Sequence, residues 1–129
     1  MHIDHIAIWT THPERLKDFY IRYFGAQASQ KYTNATRGFS SYFLRFSSGT
    51  RLEIMHMAEI PASQIDPIQQ TTGLTHLAFS LGSKEAVDSL TSRLIADGYP
   101  LISAPHTTGD GYYESGILDP DGNRLELTV

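Results

Sequence analysis

Gly49-Thr50-Arg51-Leu52-Glu53-Ile54 and Gly122-Asn123-Arg124-Leu125-Glu126-Leu127 are two versions of one hexapeptide, offset by 73 residues (49 to 122). The match does not stop at the hexapeptide. At the same offset Gly25 falls on Gly98, and at an offset of 71 residues (5 to 76) His5 falls on His76 and Leu16 on Val87. One two-residue change of register, near the end of a first helix, reconciles the offsets. A sequence that repeats at this scale is built from two copies of one supersecondary unit, neither of which buries much surface alone.

Each copy has the same order of elements. His2 to Trp9 alternates as a strand, and Thr11-His12-Pro13-Glu14 has the spacing of a capping box with proline in the first turn. Leu16, Phe19, Tyr20, Tyr23 and Phe24 then follow at helical spacing until Gly25. Extended segments are expected at 26–33, 39–47 and 51–57. The second copy predicts a strand at 74–81, a helix from Ser83 to Asp97 stopped by Gly98, and extended segments near 100–104, 112–118 and 124–129. Asp119-Pro120-Asp121-Gly122-Asn123 is a turn between the last two. The fold class is α+β: two βαβββ modules, 1–58 and 73–129, with a Pro-, Gln- and Ser-bearing linker at 59–72, in one domain of cupped mixed sheets around a metal cleft.

Composition narrows the function. The chain has 129 residues, no cysteine and a net charge of −4. Thiolate metal sites and cysteine nucleophiles are excluded, and no basic stripe favours nucleic acid. The first residues, Met1 to His5, lack the basic and apolar regions of a signal peptide. No apolar run approaches the ~20 residues of a membrane span. A cytoplasmic, soluble protein with a small-molecule substrate is expected.

Side chains of a strand alternate between faces. His5, Ala7 and Trp9 therefore share a face opposite Ile6 and Ile8, and His76 opposes Leu77 and Phe79. Glu53 opposes Leu52 and Ile54, and Glu126 opposes Leu125 and Leu127. Taken singly, a histidine on a strand is ordinarily a satisfied polar residue and a glutamate ordinarily faces solvent. Their recurrence in both copies, on the polar face, makes His5, Glu53, His76 and Glu126 candidate ligands. Two imidazoles and two carboxylates suit one divalent ion such as Zn, Ni, Co, Mn or Fe. His2, His12, His56 and His106 are not assigned to the metal: His2 is out of phase with His5, His12 lies at a helix start, His56 points away from Glu53, and His106 is placed in a loop.

These segments, above all Asp119 to Leu127, resemble the vicinal oxygen chelate superfamily, whose members include glyoxalase I, methylmalonyl-CoA epimerase, extradiol dioxygenases, fosfomycin-modifying enzymes and bleomycin-binding proteins. The ligand set is similar to that of glyoxalase I. The resemblance implies a lyase or isomerase acting on the thiol adduct of a 2-oxoaldehyde, with glutathione as a candidate thiol, by chelation and enediolate stabilisation. It implies Glu126 as base, with Glu53 second, and a homodimer. Two positions depart from bacterial glyoxalase I: Trp9 stands where an arginine helps to hold glutathione, and Met57 where asparagine is usual. Trp9 then offers a flat apolar wall to another substrate. Tyr113, in the glycine-bracketed stretch Thr108 to Glu114, and Arg37 are further candidate substrate contacts, each set against an ordinary role as a core tyrosine or an exposed arginine. The alternatives are a non-catalytic small-molecule binding protein and a metal-dependent dioxygenase or transferase of the same fold.

Overall fold

The computed structural model describes residues 1–47 and 49–129, which divide into two compact units, 1–64 and 65–129. In the first unit, β1 (His5–Trp9) leads into α1 (Pro13–Phe24), then β2 (Gln27–Ala28), β3 (Tyr32–Asn34), β4 (Phe39–Arg45) and β5 (Arg51–Met57). The sheet runs β1-β5-β4-β2, with β3 also on β4. Strand β1 is parallel to β5, and the other pairs are antiparallel. The second unit has β6 (Leu77–Ser80), α2 (Lys84–Ala96), β7 (Leu101–Thr107), β8 (Tyr113–Leu118) and β9 (Arg124–Thr128). Its order is β6-β9-β8-β7, again with the first strand parallel to the last. The mixed α+β pseudo-repeat is thus present, with one strand of the second unit replaced by the short pair β2 and β3 in the first.

The sheets form as they do because one face of each is apolar. Helix α1 buries Leu16, Phe19, Tyr20 and Tyr23, and packs on β4 and β5, whose Leu44, Leu52 and Ile54 are buried on the same side. Phe19 meets Tyr20 edge-on, with ring centroids 5.2 Å apart. Each such side chain contributes about 1.5–3 kcal/mol by leaving water. Helix α2 buries Val87, Thr91 and Leu94 and packs on β8 and β9, which supply Ile117, Leu125 and Leu127. The Thr91 hydroxyl bonds the Val87 carbonyl at 2.6 Å and lies 2.6 Å from the Ser115 hydroxyl, so the two polar groups of this core satisfy each other.

The helix ends follow their chemistry, with one departure. Gly25 ends α1 in a left-handed conformation, φ 64°, which glycine adopts without a Cβ penalty. Ser83 caps α2 by accepting from the Ala86 N–H at 3.2 Å. The capping box expected at Thr11 and Glu14 does not form. His12 occupies the cap position without a side-chain bond, because Pro13 sets the first turn one residue later. The Thr10 hydroxyl takes the His12 N–H instead, at 3.0 Å. Glu14 is committed elsewhere, accepting from Tyr42 at 2.6 Å, Lys17 at 2.8 Å and Lys31 at 3.1 Å. These partners, Lys17 first, hold its carboxyl down at about 2.

Between β8 and β9 the turn is organised by Asp119, which accepts from the backbone N–H groups of Asp121 and Asn123 at 2.9 Å and from the Asn123 amide at 2.8 Å. This seats Arg124 at the start of β9 and Glu126 two residues on, facing away from α2. Among the described residues no helix is long and apolar enough to cross a membrane.

Candidate functional site

Strand register decides which side chains meet on the face away from each helix. In the first unit Ala7 is the β1 partner of Glu53, and Phe43 its β4 partner. In the second, Ala78 and Gly116 flank Glu126 in the same way. In both parallel pairs the histidine precedes that alanine by two residues, which places it diagonally across from the glutamate. Alanine leaves room, so His5 Nε2 lies 3.7 Å from Glu53 Oε2, and His76 Nε2 lies 3.3 Å from Glu126 Oε2.

The other ring nitrogen is held in both units by the preceding residue. His5 Nδ1 is 2.9 Å from Asp4 Oδ2, and His76 Nδ1 is 3.1 Å from the Thr75 hydroxyl. Asp4 also accepts from Arg51. The bonds from His5 and Arg51 hold its carboxyl below the usual carboxylate range. A histidine oriented through Nδ1 with Nε2 beside a carboxylate is the arrangement of a metal ligand with its outer partner. Two donors about 2.1 Å from one ion stand between roughly 3 Å and 4.2 Å apart. Both gaps, 3.7 Å and 3.3 Å, fall in that span, so each nitrogen–oxygen pair fits a divalent ion. Within each unit the grouping stops at the pair: among the described residues no three His, Cys, Asp or Glu side chains gather as a metal-holding set.

Beside the glutamates the units differ. Phe43 fills the position next to Glu53 and packs edge-on to His5, centroids 5.4 Å apart. Gly116 brings no side chain to that position, so Ser103 reaches in from β7, and beside Glu126 a cavity of about 440 Å³ is lined by His76, Glu126, Glu114, His106, Ser103 and Arg124 among others. The next row along the first sheet is Trp9, Met55, Ser41 and Tyr32. Trp9, 42% exposed, lies edge-on to Phe39 at 6.1 Å. The matching row of the second sheet is Ser80, Thr128, Glu114 and His106.

His106 and Glu114 were not legible as site residues. The loop expected around His106 is strand, since β7 continues to Thr107 through two irregularities in register that bring His106 opposite Glu114. Burial and the charge of Glu126 push the Glu114 carboxyl up, while His106 opposes the shift. The remaining candidates are placed otherwise. Tyr113 faces α2, its hydroxyl donating to Asp88 at 2.7 Å and its ring lying under Lys84, so it is a partner of the helix and not of the cavity. Arg37 is exposed on a short 3₁₀ turn, Ala35–Arg37. His56 Nδ1 donates to the Thr10 carbonyl at 3.0 Å, on the face away from Glu53.

Residues 2–127 match the family profile described as the Glyoxalase/Bleomycin resistance protein/Dioxygenase superfamily. The uncharacterized protein YwkD of Bacillus subtilis (strain 168) is 32% identical over 126 residues, covering 97% of this chain and 94% of that protein. A second uncharacterized protein of the same organism, YqjT, is 42% identical over 60 residues, and the match spans 44% of this chain and 47% of YqjT, less than half its length. Among solved structures, that of glyoxalase I from Zea mays aligns with a TM-score of 0.80 at 20% identity, over 98% of this chain and 44% of the maize chain. At that identity the likeness is one of fold.

Proposed function

This chain belongs to the glyoxalase/bleomycin resistance protein/dioxygenase superfamily, and from that membership we propose a metal-dependent lyase or isomerase of glyoxalase I type. Its substrate is the thiol adduct of a 2-oxoaldehyde or a similar molecule with two adjacent oxygens. The ligands are His5 and Glu53 from one unit and His76 and Glu126 from the other. One observation carries the reading: the same histidine–glutamate pairing, with Nδ1 held by the preceding residue, occurs in both units on the face away from the helix. A core-filling or surface role does not call for that repetition.

A divalent metal held by these residues would act as a Lewis acid toward a substrate with two adjacent oxygens, making the neighbouring carbon more acidic. Glu126 is the base. It takes the proton from that carbon and returns it to the neighbouring one, so the reaction is balanced without an oxidant. Glu126 suits the task better than Glu53 because it lines the cavity and is the more exposed of the two, 23% against 14%, with Phe43 packed beside Glu53. Trp9 offers an apolar surface on the same face as His5.

The test is bound metal in protein purified without added metal or chelator, for wild type, His5→Ala and Glu126→Ala, followed by turnover of 2-oxoaldehyde–thiol adducts. About one equivalent per chain, lost in both variants, is expected. If the wild-type protein takes up no Zn, Ni, Co, Mn or Fe on reconstitution, the proposal fails.

A further inference from the structure

Beside the donor pair, the cavity of the second unit is lined by a second carboxylate, Glu114. Glu114 lies on β8 in the row next to Glu126, with Thr128 on one side and His106 on the other. His106 donates from Nδ1 to the Ala104 carbonyl at 2.9 Å, which anchors its ring beside Glu114. Thr128 has a buried hydroxyl with no hydrogen-bond partner among the described residues, so the row is not satisfied within itself.

The pseudo-repeat sharpens the point. At the position of Glu114 the first unit has Ser41, in a row that also carries Trp9, Met55 and Tyr32. Nothing in the shared fold demands a carboxylate there. Nor does the charge balance beside it: the one lysine or arginine that lines the cavity among the described residues, Arg124, lies on the other side of Glu126 from the Glu114 row, with one N–H on the Ile68 carbonyl. The other polar lining groups include Gln70, Thr75 and Ser103, all neutral. A substrate tail that ends in a carboxylate next to Glu114 meets like charge there.

We propose that Glu114, with His106 beside it, is a specificity-determining residue that accepts a hydrogen bond from an ammonium or hydroxyl group on the substrate's tail and turns away a carboxylate. The assignment rests on the reading of His76 and Glu126 as metal ligands, since that is what orients a chelating substrate in the cavity. It names the substrate class: adducts of amino- or hydroxyl-bearing thiols over those of acidic thiols. Charge-assisted bonds of this kind discriminate by about tenfold or more.

Three hydroxamates, each presenting two adjacent oxygens, separate the possibilities by calorimetric titration of the zinc-loaded full chain. β-Alanine hydroxamate ends in an ammonium, succinate monohydroxamate in a carboxylate, and propionohydroxamate has no polar tail and serves as reference. Wild type is expected to prefer the ammonium over the carboxylate by about tenfold or more, and Glu114→Gln and Glu114→Ser to bring the ratio close to one. The glutamine variant keeps the shape, and the serine variant copies Ser41 of the first unit. An unchanged ratio in both variants, or a wild-type preference for the carboxylate, overturns the assignment while leaving the metal reading intact. Failure of all three to bind overturns the metal reading and this assignment with it.

Discussion

Replacing Gly116 with alanine perturbs the point at which the two units differ most. Gly116 sits between Glu126 on β9 and Ser103 on β7. A Cβ added there stands 2.7 Å from Ser103 Oγ, 3.3 Å from Ile102 Cβ and 3.5 Å from the Ser103 nitrogen. The first contact is closer than carbon and oxygen tolerate, so the Ser103 hydroxyl or the β7 backbone must move, at a cost of about 1–3 kcal/mol. Against this, alanine stiffens the unfolded chain and returns about 0.4–1 kcal/mol. The expected net loss is about 1–2 kcal/mol, and at roughly 4 °C per kcal/mol for a chain of this size the melting temperature falls by about 4–8 °C. The control is the same change in a Ser103→Ala background. With the hydroxyl gone, the remaining contacts are near ordinary packing distance, and Gly116→Ala should be neutral or slightly stabilising. Thermal melts followed by circular dichroism measure both pairs. An equal loss in the two backgrounds would show that the cost does not arise at Ser103, and the account of why this position is glycine fails.

Three other outcomes are expected. Asp4→Asn removes the carboxylate behind His5 and should weaken metal affinity by about 10- to 100-fold, read by competition with a chromophoric chelator; unchanged affinity would separate Asp4 from the site. Glu14 is held at about 2 chiefly by Lys17, so its contribution is present above the ordinary carboxylate pKa and is lost as pH falls from about 4.5 toward 2. Because the carboxylate is half exposed, the effect is about 1 kcal/mol after screening. Glu14→Gln should lower denaturant stability by that amount at pH 7 and by only a small part of it at pH 2. Thr91→Val strands the buried Ser115 hydroxyl and should cost about 1–3 kcal/mol, with much of the loss recovered in Thr91→Val/Ser115→Ala. Additive losses in that double-mutant cycle would mean the two hydroxyls are not coupled.

Much of this architecture was open to a reading of the chain alone. Alternation in His5–Trp9 and Arg51–Met57 has a period of two, and a local period determines which residues share a face regardless of what the strand pairs with. The repeated hexapeptide and the turn at Asp119 to Asn123 then identified Glu53 and Glu126 as equivalent residues. Local rules failed where two of them competed. Thr11 and Pro13 both bid for the start of α1, and the proline's fixed φ won, leaving His12 at the cap and releasing Glu14 to Tyr42 and the lysines.

What the sequence by itself determined is the donor chemistry on offer: four residues with nitrogen or oxygen donors that are candidate ligands, each on the polar side of its strand. Tertiary structure alone decided the diagonal register that brings each histidine within 3.7 Å or 3.3 Å of its glutamate. It also decided that Phe43 packs beside Glu53 while Gly116 brings no side chain beside Glu126, and that His106 belongs to a strand facing Glu114. The first is a consequence of pairing between strands distant in sequence, and the others of the register between consecutive strands, in β7 through irregularities in that register. A hydrogen-bond register depends on the partner strand and the connection to it as well as on a strand's own alternation, so the alternation alone leaves it open.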